Sequence, residues 1–536
     1  MNVPSVDVLT HREVRSKSRY IDTFEGFSDD QMQSICEIKR FFECYEGDRT
    51  FRASIDAGGD FSEEQRQMMR DIGVRFEPEA MELLWTSWDL LTRIHQLTFQ
   101  VDSFEEMPAN IHAALAPYPL MRVWQIWRFR RTKMGLIQKR IVLSTPSAHP
   151  AYTAWRSRRI AAVRNELGTY GWDIDHPCHA VELAVGCSVG CGFCAFDAKK
   201  LDTLFDYDAP GNRALIRGVA HGMMNQLGWP AAHGMLYWST EPADNPAYVR
   251  MLGDWQDITG ATLCTATARA GEEWVEQLQA FYSRASTPWP RISVLSRNIM
   301  RKLHKRFSPM EMRDTTLLMQ QADGEFQRKK VPGGREKMLQ RLIDAHDVRS
   351  CDPDNIPNDL DIPQGSIACV SGLLINMVNR SIKLISPCYS SREHPYGYRV
   401  FDETHFEGLE DFEVKLARML DRSMVISPYM GMPMKWRDDL KYIPREDGFI
   451  LQSPTVQRVF SKGSAHKVVG EMVAAGNRTY GEIFDALSDD PEIGPLAAAA
   501  LLNGLFERGY LCELVITEDY RARHETRAVV PELATV

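Results

Sequence analysis

Three cysteines fall within eight residues, in Gly186-Cys187-Ser188-Val189-Gly190-Cys191-Gly192-Phe193-Cys194, a C-x3-C-x2-C cluster. Thiolates this close can face one centre if the backbone loops around it, and Gly186, Gly190 and Gly192 permit the tight turns such a loop needs. Soft sulfur ligands select zinc or an iron–sulfur cluster. A structural zinc site takes a fourth Cys or His, often from a second pair, and no second C-x2-C exists in the chain. Three thiolates on a four-iron cluster would instead leave one iron open to a substrate or cofactor. Of the other cysteines, Cys369 and Cys388 adjoin strand-like segments late in the chain. Cys36 and Cys44 read as small buried hydrophobes, Cys178 and Cys264 as structural thiols near strand ends that could approach a cofactor, and Cys351 receives no role. His176 and His179 flank Cys178 and read as packing or surface residues.

The triplet follows a strand-like run and precedes alternating strand and helix patterns. In that setting it resembles the radical S-adenosylmethionine (SAM) superfamily, with an aromatic residue before the last cysteine. The resemblance implies that Cys187, Cys191 and Cys194 hold a [4Fe-4S] cluster whose open iron takes the amino and carboxylate groups of SAM. One electron, from a reductant such as flavodoxin or ferredoxin, would then cleave SAM to methionine and a 5′-deoxyadenosyl radical. It also implies that Phe193 lies against the adenine. Ser239, Thr240 and Glu241 occupy the place of a "GGE" stretch that binds the SAM amino group, with only the Glu retained. Ser296 and Arg297 end another candidate strand and could hold the ribose and carboxylate; the alternative is a helix N-cap followed by a solvated basic helix.

Longer stretches resemble one subgroup, the proteusin-type peptide epimerases. They are Glu37–Arg52, Val181–Ala198, Leu236–Tyr248 and Ile367–Cys388. The resemblance implies an isomerase that inverts L-residues to D-residues in a ribosomally made precursor peptide. A Cα hydrogen is removed on one face and a thiol returns hydrogen on the other. Cys369 and Cys388 are the candidate donors, and register does not separate them. The pair also resembles a cysteine–hairpin–cysteine auxiliary-cluster pattern, but only Cys512 follows, too few for a complete second cluster. Rival readings are a thioether crosslinking or C-methylating radical enzyme, and a cluster-bearing peptide-binding or sensor protein without turnover.

The elements that must position these residues read as α/β. The expected strands are Ala180–Gly186, Gly234–Thr240, Thr262–Thr267 and Arg291–Ser296, with helices near Ala214–Leu227, Ala247–Trp255 and Glu272–Ser283. Their spacing suits βα units of a partial (β/α) barrel, in which ligands gather at the C-terminal strand ends. Two more strands are expected over Gly365–Asn376 and Ser381–Ser386. Before the barrel, residues 1–150 read as helical. Ser28-x-x-Gln31 and Ser62-x-x-Gln65 are capping boxes, and Met32, Ile35, Ile38, Phe41, Phe42 and Tyr45 share one helical face. The domain reading is 1–150 helical, 151–400 partial barrel, 401–448 connecting segment and 449–536 a winged-helix-like module. In the last, Thr479-x-x-Glu482 is a capping box, and Gly509-Tyr510-Leu511 is expected to enter a strand. Such a module resembles those that bind precursor-peptide leaders by strand addition. The Glu37–Arg52 region could also guide peptide, or simply cap the barrel.

Composition bounds the partners. The 536 residues are 44% hydrophobic and 25% charged, an ordinary globular balance. With 63 Lys plus Arg against 72 Asp plus Glu the net charge is −9, which argues against phosphate-backbone binding. The helix near Thr479–Leu487 carries Glu482 and Asp485 and no Lys or Arg, so nucleic acid is not the expected partner. Eleven cysteines are too sparse and too odd in number for a disulfide framework, which points to reduced thiols and the cytoplasm. Met1–Thr10 lacks the layout of a signal peptide, and no apolar run reaches the ~18 residues of a membrane span.

Overall fold

The strands that carry the site are short. In chain order they are β1 (His179–Glu182), β2 (Ala184–Val185), β3 (Thr203–Leu204), β4 (Gly234–Met235), β5 (Ala266–Thr267), β6 (Arg291–Val294), β7 (Thr316–Met319), β8 (Gly372–Asn376), β9 (Ser381–Pro387) and β10 (Tyr398–His405). They come from a computed structural model that describes residues 23–528 apart from 58–60, 193, 284–288, 322–333, 335–367 and 462. Phe193, Cys351 and the start of the strand expected at Gly365 lie outside the described residues. The chain divides into two units. One comprises Met1–Ser144, Glu241–Lys329 and Leu342–Gln364; the other comprises Thr145–Thr240, Lys330–Arg341 and Gly365–Val536. The stretch 151–400 therefore contributes to both. Its strands form separate sheets, and no closed barrel is present among the described residues.

In the first unit both expected capping boxes form. Ser28 and Gln31 exchange hydrogen bonds at the start of helix Asp29–Gly47, and Ser62 and Gln65 do so at Glu63–Asp71. Ile35, Ile38, Phe41 and Tyr45 are buried as the spacing predicts. The opposite face is buried too, although it carries charge. Lys39 pairs with Glu43 at 2.6 Å, and Arg40 donates to the carbonyls of Ile72, His304 and Phe307. Asp48 ends this helix and caps the next, Arg49–Asp56, through the amides of Thr50 and Phe51. The apolar stretch from Met81 to Leu91 is broken into a 3-10 turn and two helices, Leu83–Thr86 and Trp88–Thr98. Parallel strands β5–β6–β7 pack Ile292, Val294, Leu317 and Met319 into the same core as these helices.

In the second unit five strands run in the order β10-β9-β8-β1-β4. β1 is parallel to both β4 and β8, whereas β9 and β10 are antiparallel additions. β8 is buried at every position, as a central strand covered on both faces should be. β4 pairs only at Gly234 and Met235, so the expected strand Gly234–Thr240 stops early and Leu236–Thr240 continues as a loop.

The C-terminal part of this unit has its own core, built on Met434, Phe449, Val469, Ile483, Leu502 and Phe506. Strands β11 (Pro433–Met434) and β15 (Arg478–Thr479) pair, and β12 (Lys441–Arg445), β13 (Gly448–Gln452) and β14 (Gln457–Phe460) form a meander. Helices Ser464–Ala475, Tyr480–Ser488 and Gly494–Glu507 follow the meander, and the Thr479/Glu482 box caps the second. Residues 401–448, expected as a connector, thus supply most of β10, helix Leu409–Ser423, β11 and β12. After Gly509-Tyr510-Leu511 the expected strand is reduced to one bridge, Leu511 to Trp436. Buried Glu513 then pairs with Arg158 at 2.7 Å and the chain turns into helix Glu513–Ala528.

Candidate functional site

The cysteine loop is closed at its neck. β2 pairs with β3, the Cys187 amide donates to the Lys199 carbonyl at 2.9 Å, and Cys187 forms an isolated bridge with Lys200. Gly186 makes this closure possible. Its φ is +87°, and a Cβ there would sit 2.3 Å from the Lys200 carbonyl oxygen. Within the loop the Cys194 amide donates to the Cys191 carbonyl at 3.3 Å, and the Ala198 amide donates to the Cys194 sulfur at 3.5 Å. All three cysteines are half-buried. Three soft sulfurs on one glycine-hinged loop, one already accepting an amide, suit an iron–sulfur cluster as a donor set. As placed, no three His, Cys, Asp or Glu side chains converge to hold a metal ion among the described residues.

The loop follows β2, and β1, just before it, ends in a buried carboxylate that the residues alone did not single out. Glu182 Oε1 accepts the Ser239 hydroxyl at 2.5 Å and the Ser239 amide at 3.4 Å. Its Oε2 accepts the Asn376 side-chain amide at 2.9 Å. One acidic group therefore joins the end of β1, the loop after β4 and the end of β8. A charge inside the apolar run Val181-Glu182-Leu183-Ala184-Val185 was the available signal, since an acidic residue is seldom buried unless paired. Thr240 follows Ser239, half-buried.

Cys369 and Cys388 both belong to this unit and differ in their surroundings. Cys369 is half-buried and packs against two apolar cores, one that includes Ala180, Met235, Trp238 and Leu374, against which Phe196 and Tyr398 also pack, and one formed by Val163, Leu167 and Ile174. Phe196 and Trp238 lie 4.5 Å apart between ring centroids, so this aromatic group links the cysteine loop to the segment before Ser239. Cys388 is 2% exposed, and burial pushes its thiol up to about 12. Its amide is tied to the Gly397 carbonyl. Nearby, Arg399 forks onto fully buried Glu166 and also reaches Asp439.

The remaining expected site residues fall in the other unit. Glu241 accepts from the Ala243 and Ala268 amides and the Thr267 hydroxyl, so both carboxylate oxygens are engaged locally; burial raises its carboxyl above the usual range. Ser296 caps helix Arg297–Arg306 through the Ile299 amide. Arg297 pairs with Asp48 at 3.2 Å and reaches the Thr50 hydroxyl. In the unit of the cysteine loop, His176 and His179 are buried and engaged with Ser371 and with the Ala231 carbonyl respectively. No described helix is long and apolar enough to cross a membrane.

Comparison with known proteins places the chain as a whole. Residues 434–509 match the family described as "Protein y4wI C-terminal domain". "Uncharacterized protein y4wI" of Sinorhizobium fredii is 31% identical over 506 residues, covering 94% of this chain and 91% of that protein. A solved structure of BtrN in complex with AdoMet and 2-DOIA aligns over 46% of this chain and 87% of its own at 12% identity, with a TM-score of 0.27, too low to define a shared fold. The full-length match is decisive: the chain belongs to the y4wI family.

Proposed function

We propose that the protein is a radical SAM enzyme that epimerises residues of a ribosomally made precursor peptide. The observation that carries the reading is the cysteine triplet on a loop closed at its neck by β2 and β3, with half-buried Cys369 packed against the same apolar core as Phe196 of that loop. Cys187, Cys191 and Cys194 would hold the iron–sulfur cluster. When bound, the cluster and SAM supply a 5′-deoxyadenosyl radical able to take a Cα hydrogen.

The chain's own task is then to exclude water and return hydrogen to the opposite face. Phe196, Trp238 and Tyr398 offer an apolar wall for the first task. Cys369 suits the second, because a donor thiol must reach its substrate. Cys388, directly after β9, is 2% exposed. The open edges of the β12–β13–β14 meander are candidates for strand addition by a peptide leader.

The test is anaerobic reconstitution, followed by co-expression with neighbouring short open reading frames in D2O. Epimerisation adds about one dalton per inverted residue in D2O and nothing in H2O, because the donor thiol exchanges with solvent. A loss of two hydrogens would instead indicate a crosslink, and a gain of CH2 a methylation.

A further inference from the structure

Glu182 and Glu241 belong to different units, and their hydrogen bonds differ. Glu241, the residue retained from the expected SAM-binding stretch, has both oxygens engaged by Ala243, Thr267 and Ala268 in its own unit. Glu182, which has no counterpart in that expectation, holds Ser239 by both its hydroxyl and its amide. A serine hydroxyl has one proton to give. At 2.5 Å from a buried carboxylate, that proton is committed to Glu182. The Ser239 oxygen is left with its lone pairs alone, and a carboxylate is its hydrogen-bonded neighbour.

We propose that Glu182 is a positioning residue that makes Ser239 an acceptor-only group, so that the ends of β1 and β4 select the α-ammonium of an amino-acid-type ligand. A carboxylate or phosphate would meet no donor in the Ser239 hydroxyl and would be repelled by the carboxylate bonded to it. An ammonium finds both an acceptor and a counter-charge. The inference rests on the reading of SAM as cofactor and moves the charge for its amino group from Glu241 to Glu182. Two surrounding features agree with it. Asn376 holds the other Glu182 oxygen, so the carboxylate cannot turn away from Ser239. Tyr398 senses the same charge, since its phenol is raised first by burial and next by Glu182.

The experiment uses the full-length, anaerobically reconstituted protein and three probes. SAM and S-adenosylhomocysteine both carry the α-ammonium, and methylthioadenosine has none. Glu182→Gln keeps an acceptor for the Ser239 proton and removes the charge. It is expected to weaken SAM and S-adenosylhomocysteine about tenfold, to leave methylthioadenosine within about twofold, and to leave iron content unchanged. Ser239→Ala should show the same selectivity, and the double variant should be little worse than either single one, because both act through one oxygen. If Glu182→Gln fails to fold, the selectivity of Ser239→Ala decides the question alone. Equal weakening of all three probes would reveal a merely structural staple and overturn the proposal, as would unchanged binding. If the wild-type protein binds neither ammonium-bearing probe, the cofactor reading fails and this inference with it; binding that ignores both substitutions sinks the inference only.

Discussion

Replacing the three glycines of the cysteine loop by alanine, one at a time, separates two costs that the loop imposes. Gly192 has no positive φ and open space around its missing Cβ, so Gly192→Ala should change stability by less than about 0.5 kcal/mol. Gly190 has φ +67° with nothing within 4 Å, so Gly190→Ala incurs only the left-handed backbone cost, about 1–2 kcal/mol. Gly186 has φ +87° and would place its Cβ 2.3 Å from a backbone oxygen, which no side-chain rotation relieves. The neck must open, and the hydrogen bond from Cys187 to Lys199 is lost with it, adding about 1 kcal/mol or more. Gly186→Ala should therefore cost about 3 kcal/mol locally. The assay is iron bound per chain after reconstitution, alongside the urea midpoint. Iron retention should fall in the order Gly192→Ala, Gly190→Ala, Gly186→Ala, with the last losing most of it. Full iron in Gly186→Ala, or equal losses in Gly192→Ala and Gly186→Ala, would refute the claim that the closed neck positions the thiolates.

Cys369→Ala should leave SAM cleavage intact and abolish D-residue formation, whereas Cys388→Ala should retain epimerisation and lose about 1–2 kcal/mol of stability; peptide mass mapping in D2O reads the first and denaturant melts the second. The first unit should weaken in acid. Burial holds His304 down at about 4 against an ordinary 6.5, so the unfolded chain binds a proton that the folded chain refuses. That contribution is complete above pH 6.5 and is lost towards pH 4, at about 1.4 kcal/mol per pH unit. His179 and His233, lowered to about 4 and about 3, act in the same direction in the other unit. In His304→Gln the urea midpoint of the first unit should depend less on pH between 6.5 and 4.5, and an unchanged slope would contradict the assignment. Arg399→Met strands Glu166, which is fully buried, and should cost about 3–5 kcal/mol by chemical denaturation.

Local rules were legible in the residues, and distant partnerships were not. The boxes Ser28/Gln31, Ser62/Gln65 and Thr479/Glu482 need only a three-residue spacing, and all three form. The cysteine loop is equally local. Glu182 was not legible as a site residue, because its partners Ser239 and Asn376 lie far along the chain and meet it only when β4, β1 and β8 align. The run Gly234–Thr240 reads as a strand because it is apolar, yet Trp238 is buried by Phe196 and Tyr398 rather than by sheet pairing. Short apolar runs carry that ambiguity. Lys39, Arg40 and Glu43 fall on what a helical pattern marks as the polar face. They are buried because Arg40 satisfies the carbonyls of Ile72, His304 and Phe307 and because Glu43 receives both Lys39 and His304. Ser296 caps a helix, one of the two readings its position left open, and Arg297 pairs with Asp48, a partner far away in the chain.

The most direct test is iron and acid-labile sulfide analysis of anaerobically reconstituted wild-type protein beside the Cys187→Ala, Cys191→Ala, Cys194→Ala triple variant, with 5′-deoxyadenosine measured after addition of SAM and dithionite. The expected result is about four irons per chain and 5′-deoxyadenosine in the wild type, and neither in the variant. Bound zinc, iron that survives loss of the three thiols, or a loaded cluster that releases no 5′-deoxyadenosine would contradict it.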